Sequence, residues 1–161
     1  MSDREISHLL DRLDRAFERK AWHGPNLRGS LRGVTASQAA WRPAPGRHNV
    51  WELALHCAYW KYAVWRQLTG ERRGSFPFAG SNFFPRPEGP ASETDWKRDL
   101  RLLATVHRRL RAAVAGIPPR LLGAKPAGSK YDRRTLVSGV VDHDLYHAGQ
   151  IQLLKRLRAG A

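Results

Sequence analysis

The stretch LVSGVVDHDLYHAGQIQLL, residues 136–154, decides the fold. Its apolar positions Leu136, Val140, Ile151 and Leu154 recur at the three- and four-residue spacing of a helix. His143 and His147 fall on the same stripe, one turn apart, where a solvent-facing residue does not belong. The spacing predicts a helix capped by Asp132 or Thr135, reaching about Arg158 and stopping before Gly160.

Three more segments carry the same period. The first opens with a capping-box pattern, Ser2-x-x-Glu5, and runs to about Lys20 with Ile6, Leu9, Leu10, Leu13 and Phe17 inward. The second starts at Asn49, an N-cap residue with Glu52 three positions on, and ends at Gly70. Its inward stripe reads Leu53, His56, Trp60, Ala63 or Val64, then Gln67 or Leu68. The third begins near Ser92 or Thr94 and stops at Gly116, with Trp96, Leu100, Leu103, His107, Leu110 and Val114 in near-heptad order. A short helical stretch around Leu27 to Leu31 and a capped turn at Thr35-x-x-Gln38 lie between the first two. The segment from Gly74 to Pro90 is a loop with Phe76, Phe78, Phe83 and Phe84 in it. No segment alternates like a strand. An all-α fold follows, a four-helix bundle in a single domain over residues 1–161.

Composition excludes several classes. The chain has 161 residues, with 28 Lys and Arg against 14 Asp and Glu, a formal charge of +14. No apolar run approaches the roughly 18 residues that span a bilayer. Met1 to Glu5 is charged and leads into an amphipathic pattern rather than a signal-type apolar segment, so a cytoplasmic protein is expected, with no membrane partner. Cys57 is the one cysteine, which rules out an internal disulfide and a cysteine-based zinc ribbon. Residues 101–161 hold 12 cations and 3 anions, net +9, so the positive charge collects late in the chain. That charge invites nucleic acid, but no solid basic block and no recognition motif accompanies it.

The chemistry rests on uncharged imidazoles. His143 and His147 project from one face of the last helix, and His56 takes the matching place on the second. Each neutral ring offers one lone pair, and three converging lone pairs make a facial ligand set for a divalent transition metal. The other reading is three core histidines satisfied by hydrogen bonds. Three buried imidazoles carry six polar nitrogens, a heavy load for one small core.

Other residues read mostly as structure. His107 competes for a ligand role, but Arg108 and Arg109 beside it suggest a residue at the core boundary. Glu52 is placed either to orient His56 or to complete the helix cap. Asp142 and Asp144 flank His143 off the stripe and read as solvated. Gln150 is placed to hold a metal-bound water or simply to pack, and Cys57 reads as a buried free thiol. The six tryptophans (Trp22, Trp41, Trp51, Trp60, Trp65, Trp96) read as packing. The aromatic loop and the basic loop from Lys125 to Arg134 are expected to shape a pocket, with Tyr131, Arg133 and Arg134 meeting an acidic substrate.

His143-Asp144-Leu145-Tyr146-His147-Ala148-Gly149-Gln150-Ile151 resembles the HxxxHxGQI signature of the DinB-like (YfiT-like, damage-inducible) superfamily of metal-binding four-helix-bundle proteins. Asn49-Val50-Trp51-Glu52-Leu53-Ala54-Leu55-His56 resembles that family's second-helix segment, and Pro25 to Pro45 its connection. The resemblance implies up-down-down-up connectivity and a metal held by His56, His143 and His147, zinc or nickel ahead of iron or manganese. It also implies a homodimer, and it covers thiol-dependent transferases that use bacillithiol or mycothiol. The function expected is a metal-dependent enzyme, a thiol S-transferase or hydrolase in type, acting on a small molecule such as an anionic low-molecular-weight thiol. The alternatives are a noncatalytic stress-associated metal-binding bundle and a basic nucleic-acid interaction module.

Overall fold

The computed structural model describes residues 2–160, and no strand occurs among them. Six α-helices follow in order: α1 (Ser2–Phe17), α2 (Leu27–Leu31), α3 (Ala36–Ala40), α4 (Val50–Thr69), α5 (Glu93–Ala115) and α6 (Arg133–Ala159). A single 3-10 turn, Pro119–Leu121, precedes α6. None of the helices is long and apolar enough to cross a membrane.

The helix ends sit where the side chains can satisfy free backbone groups. Asn49 accepts from the Glu52 amide, Ser92 from that of Asp95 and Asp132 from that of Thr135. Each such cap is worth about 1 kcal/mol. Thr35 and Gln38 form the reciprocal capping box, and Asn26 caps α2. At the far end of α4, Gly70 adopts φ 77°, the left-handed turn that ends a helix most easily at glycine. The side chain of Ser2, on which the expected capping box depends, lies outside the described residues. The first helix ends at Phe17, three residues earlier than its sequence pattern suggests, because the Glu18 and Arg19 amides both close onto the Asp14 carbonyl.

The four long helices close a ring: α1 packs against α5 and α6, and α4 packs against the same two from the opposite side. Leu13, Leu110, Val114 and Val137 fill one part of the core, while Trp51, Leu55, Trp96, Leu103 and Ile151 fill the other. The two buried indoles are tied at their polar edges, Trp51 Nε1 to Asp99 Oδ2 at 2.9 Å and Trp96 Nε1 to the Val34 carbonyl at 2.7 Å. A buried indole without such a partner would leave a desolvated donor.

The loop between α4 and α5 is pinned back onto the start of α4, and this positions the site. Asn49 Nδ2 donates to the Arg86 carbonyl at 2.6 Å, and the Arg86 amide donates to Glu52 Oε1 at 3.3 Å. The Arg86 guanidinium pairs with Asp99 at 3.1 Å. Phe76 and Phe84 pack against Tyr59 and Tyr62 on α4, and Phe78 packs on Phe76 and Phe84, so the loop is folded down by apolar contacts as well.

Candidate metal centre

Helices α4 and α6 bring His56, His143 and His147 together, as their stripes predict. Donor atoms of all three lie within 4.8 Å of one another. His143 Nε2 is 2.9 Å from His56 Nε2 and 3.1 Å from His147 Nε2. Two bonds of about 2.1 Å from one ion at right angles would place their nitrogens about 3.0 Å apart, so the spacing fits a shared ion.

The outer ring nitrogens decide which atoms face inward. His56 Nδ1 lies 2.9 Å from the Asn82 carbonyl oxygen, which can only accept. His147 Nδ1 lies 2.7 Å from Gln150 Oε1, also an acceptor. Each Nδ1 therefore carries the proton and donates, and each Nε2 is left as a bare lone pair pointing at His143. Outer acceptors of this kind are what metal-ligating histidines use to fix tautomer and ring orientation. Burial holds all three rings neutral: it pushes His56 down to about 4 and His143 down to about 3, and it lowers His147 as well. Neutral imidazoles with three converging lone pairs repel one another unless a cation or proton sits between them. The donor set thus fits a divalent ion better than it fits a self-satisfied core.

Phe83 stacks on His56, centroids 4.0 Å apart, and on its other face His48 stacks at 3.7 Å. Trp60, at the rim, donates from Nε1 to Asn82 Oδ1 at 3.0 Å. Two clefts open on either side of Trp60 and His143. One, of about 800 Å³, reaches all three histidines and is walled by Leu53, Leu153, Leu154, Leu157 and Tyr146. The other, of about 730 Å³, reaches His143 and is bordered by Arg66, Lys130 and Tyr131.

Several expectations are corrected. Glu52 does not touch His56: its carboxylate accepts from Arg42, His48 and the Arg86 amide, which fixes the loop rather than the ring. Arg133 donates to the Leu121 and Ala124 carbonyls and Arg134 pairs with Glu5, so neither borders the clefts beside Tyr131. Trp22 is fully exposed and packs on nothing. His107 is 1% exposed and stacks on Phe17, because the arginines beside it turn outward while its own position stays on the Leu103–Leu110 stripe. Asp144 is not solvated. It is fully buried, and its Oδ2 accepts from the equally buried Lys61 of α4. Asp142 alone behaves as expected, half-paired with Arg12 at the surface. Gln150 serves as the acceptor for His147.

Three contributors escaped the sequence reading. Asn82 acts through a backbone oxygen, which no side-chain pattern reveals. His48 and Lys61 act through partners that only the folded chain supplies.

No curated protein and no solved structure matches the chain significantly. The family model described as the DinB superfamily matches residues 6–151, a span that holds all three histidines, the whole of α4 and α5 and most of α1 and α6. The chain belongs to the DinB superfamily.

Proposed function

We propose that the protein is a metal-dependent enzyme of the thiol S-transferase or hydrolase type, with His56, His143 and His147 as the ligands of one divalent transition metal ion. The observation that carries this reading is the pair of outer acceptors, Asn82 O and Gln150 Oε1, which turn two Nε2 lone pairs onto the third ring. His143 Nε2 can answer at most one of those two lone pairs by donating a proton, so without an ion at least one stays unanswered.

Such an ion, held by three neutral ligands, supplies the charge that makes a coordinated thiol or water acidic enough to react near neutral pH. The chain's own residues would do the rest. Phe83 and Trp60 keep water from the flank of His56 by covering it with apolar surface. Arg66 and Lys130 line the second cleft and favour an anionic small molecule there, in keeping with a carboxylated low-molecular-weight thiol. The apolar walls of the first cleft suit its reaction partner. Zinc and nickel are the preferred ions, since imidazole ligands suit both.

The bundle we propose has up-down-down-up connectivity. The ring of helix contacts supports it, as does the loop at 71–92, which is long enough to return along a helix of about 30 Å and so lets α4 and α5 run parallel. A cytoplasmic homodimer belongs to the same reading.

Metal analysis of tag-free protein tests it. About one equivalent of metal is expected in the wild type and none in His147→Ala. Wild type without stoichiometric metal, after offering zinc and nickel, sinks the proposal. Turnover of a low-molecular-weight thiol with an electrophile then separates an enzyme from a noncatalytic metal-binding bundle.

A further inference from the structure

Behind His143 lies a buried polar cluster that the three-histidine reading does not use. A ring nitrogen of His143, Cys57 Sγ and an Asp144 carboxylate oxygen lie within 4.8 Å of one another. Cys57 and Asp144 are completely buried. Lys61, one turn after Cys57 on α4, is also completely buried, and its ammonium is bonded to Asp144 Oδ2. Asp144 Oδ1 and His143 Nδ1 are both buried with no hydrogen-bond partner among the described residues.

The two orphans are complementary. His143 Nε2 faces His56 and His147, so its proton belongs on Nδ1 if Nε2 is to serve as a ligand. A buried N–H without an acceptor and a buried carboxylate oxygen without a donor are each costly. They make no direct hydrogen bond, and the two residues present donor atoms within 4.8 Å of each other, a separation that one molecule of water spans. The site is polar, and the thiol of Cys57 stands beside it as a third weak partner, enough to hold a buried water. A second metal ion would suit the place less well, because the Lys61 ammonium already balances the Asp144 charge.

We infer that one buried water links His143 Nδ1–H to Asp144 Oδ1, and that Asp144, held by Lys61, is a positioning residue for the third metal ligand. The inference rests on the proposed metal site and extends it: every ligand ring then has its outer N–H on an acceptor, Asn82 for His56, Gln150 for His147 and Asp144 through water for His143. Asp144 is also the one member whose charge reaches the ion, through a water and a ring, as in carboxylate–histidine–metal arrangements. Lys61 keeps that carboxylate ionised in a dry core, where an unpaired one would not be tolerated.

The test uses zinc alone as the probe, with competition against a chromophoric chelator, and nitrogen-15 spectra of the histidine rings in metal-free protein. Removing one member of a buried ion pair can unfold the chain, so the pair is changed together. Lys61→Met with Asp144→Leu is expected to stay folded, to weaken zinc binding 10- to 100-fold and to shift His143 from the Nδ1–H form toward a tautomer mixture. Lys61→Met with Asp144→Asn keeps an oxygen acceptor and is expected to recover most of the affinity. Zinc affinity within twofold of wild type and an unchanged His143 tautomer in the Leu pair would overturn the inference. So would uptake of two zinc ions by wild type but one by Cys57→Ala. If wild type takes up no zinc, the metal reading fails, and the His143 tautomer still decides the water link.

Discussion

Asn82 gives its backbone carbonyl to His56 Nδ1 at 2.9 Å, and it does so from a left-handed backbone, φ 70°. Asparagine tolerates this conformation better than most residues, and a β-branched side chain tolerates it poorly. The acceptor is main chain, so the conformation matters more than the side chain. Asn82→Gly should bind zinc within about threefold of wild type, despite losing the bond to Trp60. Asn82→Val should shift the loop, free the His56 ring and weaken zinc binding at least tenfold. Equal affinities for the two variants in chelator competition would show that the carbonyl does not orient the ring.

His107 offers a prediction about stability. Both of its nitrogens are buried without partners, and burial pushes its pKa down to about 2. The ring earns little beyond its stacking on Phe17 at 3.9 Å. Replacing it with a shape of similar volume that has no polar atoms should relieve the desolvation of those nitrogens. His107→Leu is expected to raise the unfolding free energy by about 1 kcal/mol, measured by urea denaturation with EDTA present. A destabilised variant would mean that the nitrogens are satisfied by internal water and that the ring is part of a polar network.

These two residues mark the limits of what the chain reveals before folding. The stripes on the second and last long helices placed His56, His143 and His147 on inward faces; the cap at Asn49 set its helix start, while Ser92 and Asp132 were each one of two candidates, and the fold uses both. Those features are local: a period or a cap is written into neighbouring positions. Asp144 was misread because its partner Lys61 lies 83 residues away on another helix. Flanking charge misled at His107, since adjacent residues on a helix point about 100° apart. Glu52 fitted two local patterns: its amide joins the Asn49 cap, while its carboxylate is taken by Arg42 and His48 rather than by His56.

The depressed histidines give the acid stability a definite sign. His56, His143 and His107 are held at about 4, 3 and 2 in the fold, against about 6.5 when exposed. Below pH 6.5 the unfolded chain takes up protons that the folded chain refuses, so stability is lost as pH falls and is fully present above that point. Asp144, pushed by burial up to about 6 despite Lys61, works against this between about 4 and 6 and partly offsets one histidine. For metal-free protein, unfolding free energy should be flat near pH 7 to 8 and fall between pH 6 and 4. His107 alone contributes a slope approaching about 1.4 kcal/mol per pH unit there, and His107→Leu should remove that share. A wild type and variant with parallel pH profiles would show that His107 takes up a proton in the folded state.

The cleft that reaches all three histidines makes a prediction about ligands. Its far wall on α6 is Leu153, Leu154 and Leu157, with Leu153 58% and Leu157 48% exposed, and its floor is the histidine cluster. A ligand with a metal-chelating head and an alkyl tail would place the tail along that wall. Alkanehydroxamates from two to eight carbons should therefore bind zinc-loaded protein more tightly with length, by about threefold per methylene over the first few carbons, somewhat below full burial of each group. Leu153→Asp should flatten that dependence while leaving acetohydroxamate affinity unchanged, since the head group does not reach residue 153. Titration calorimetry distinguishes the outcomes. Binding that ignores chain length in wild type would place the tail in solvent and assign the exposed leucines to another partner, a second copy of the chain foremost. Length dependence that survives Leu153→Asp would put the tail in the cleft bordered by Arg66 and Lys130 instead.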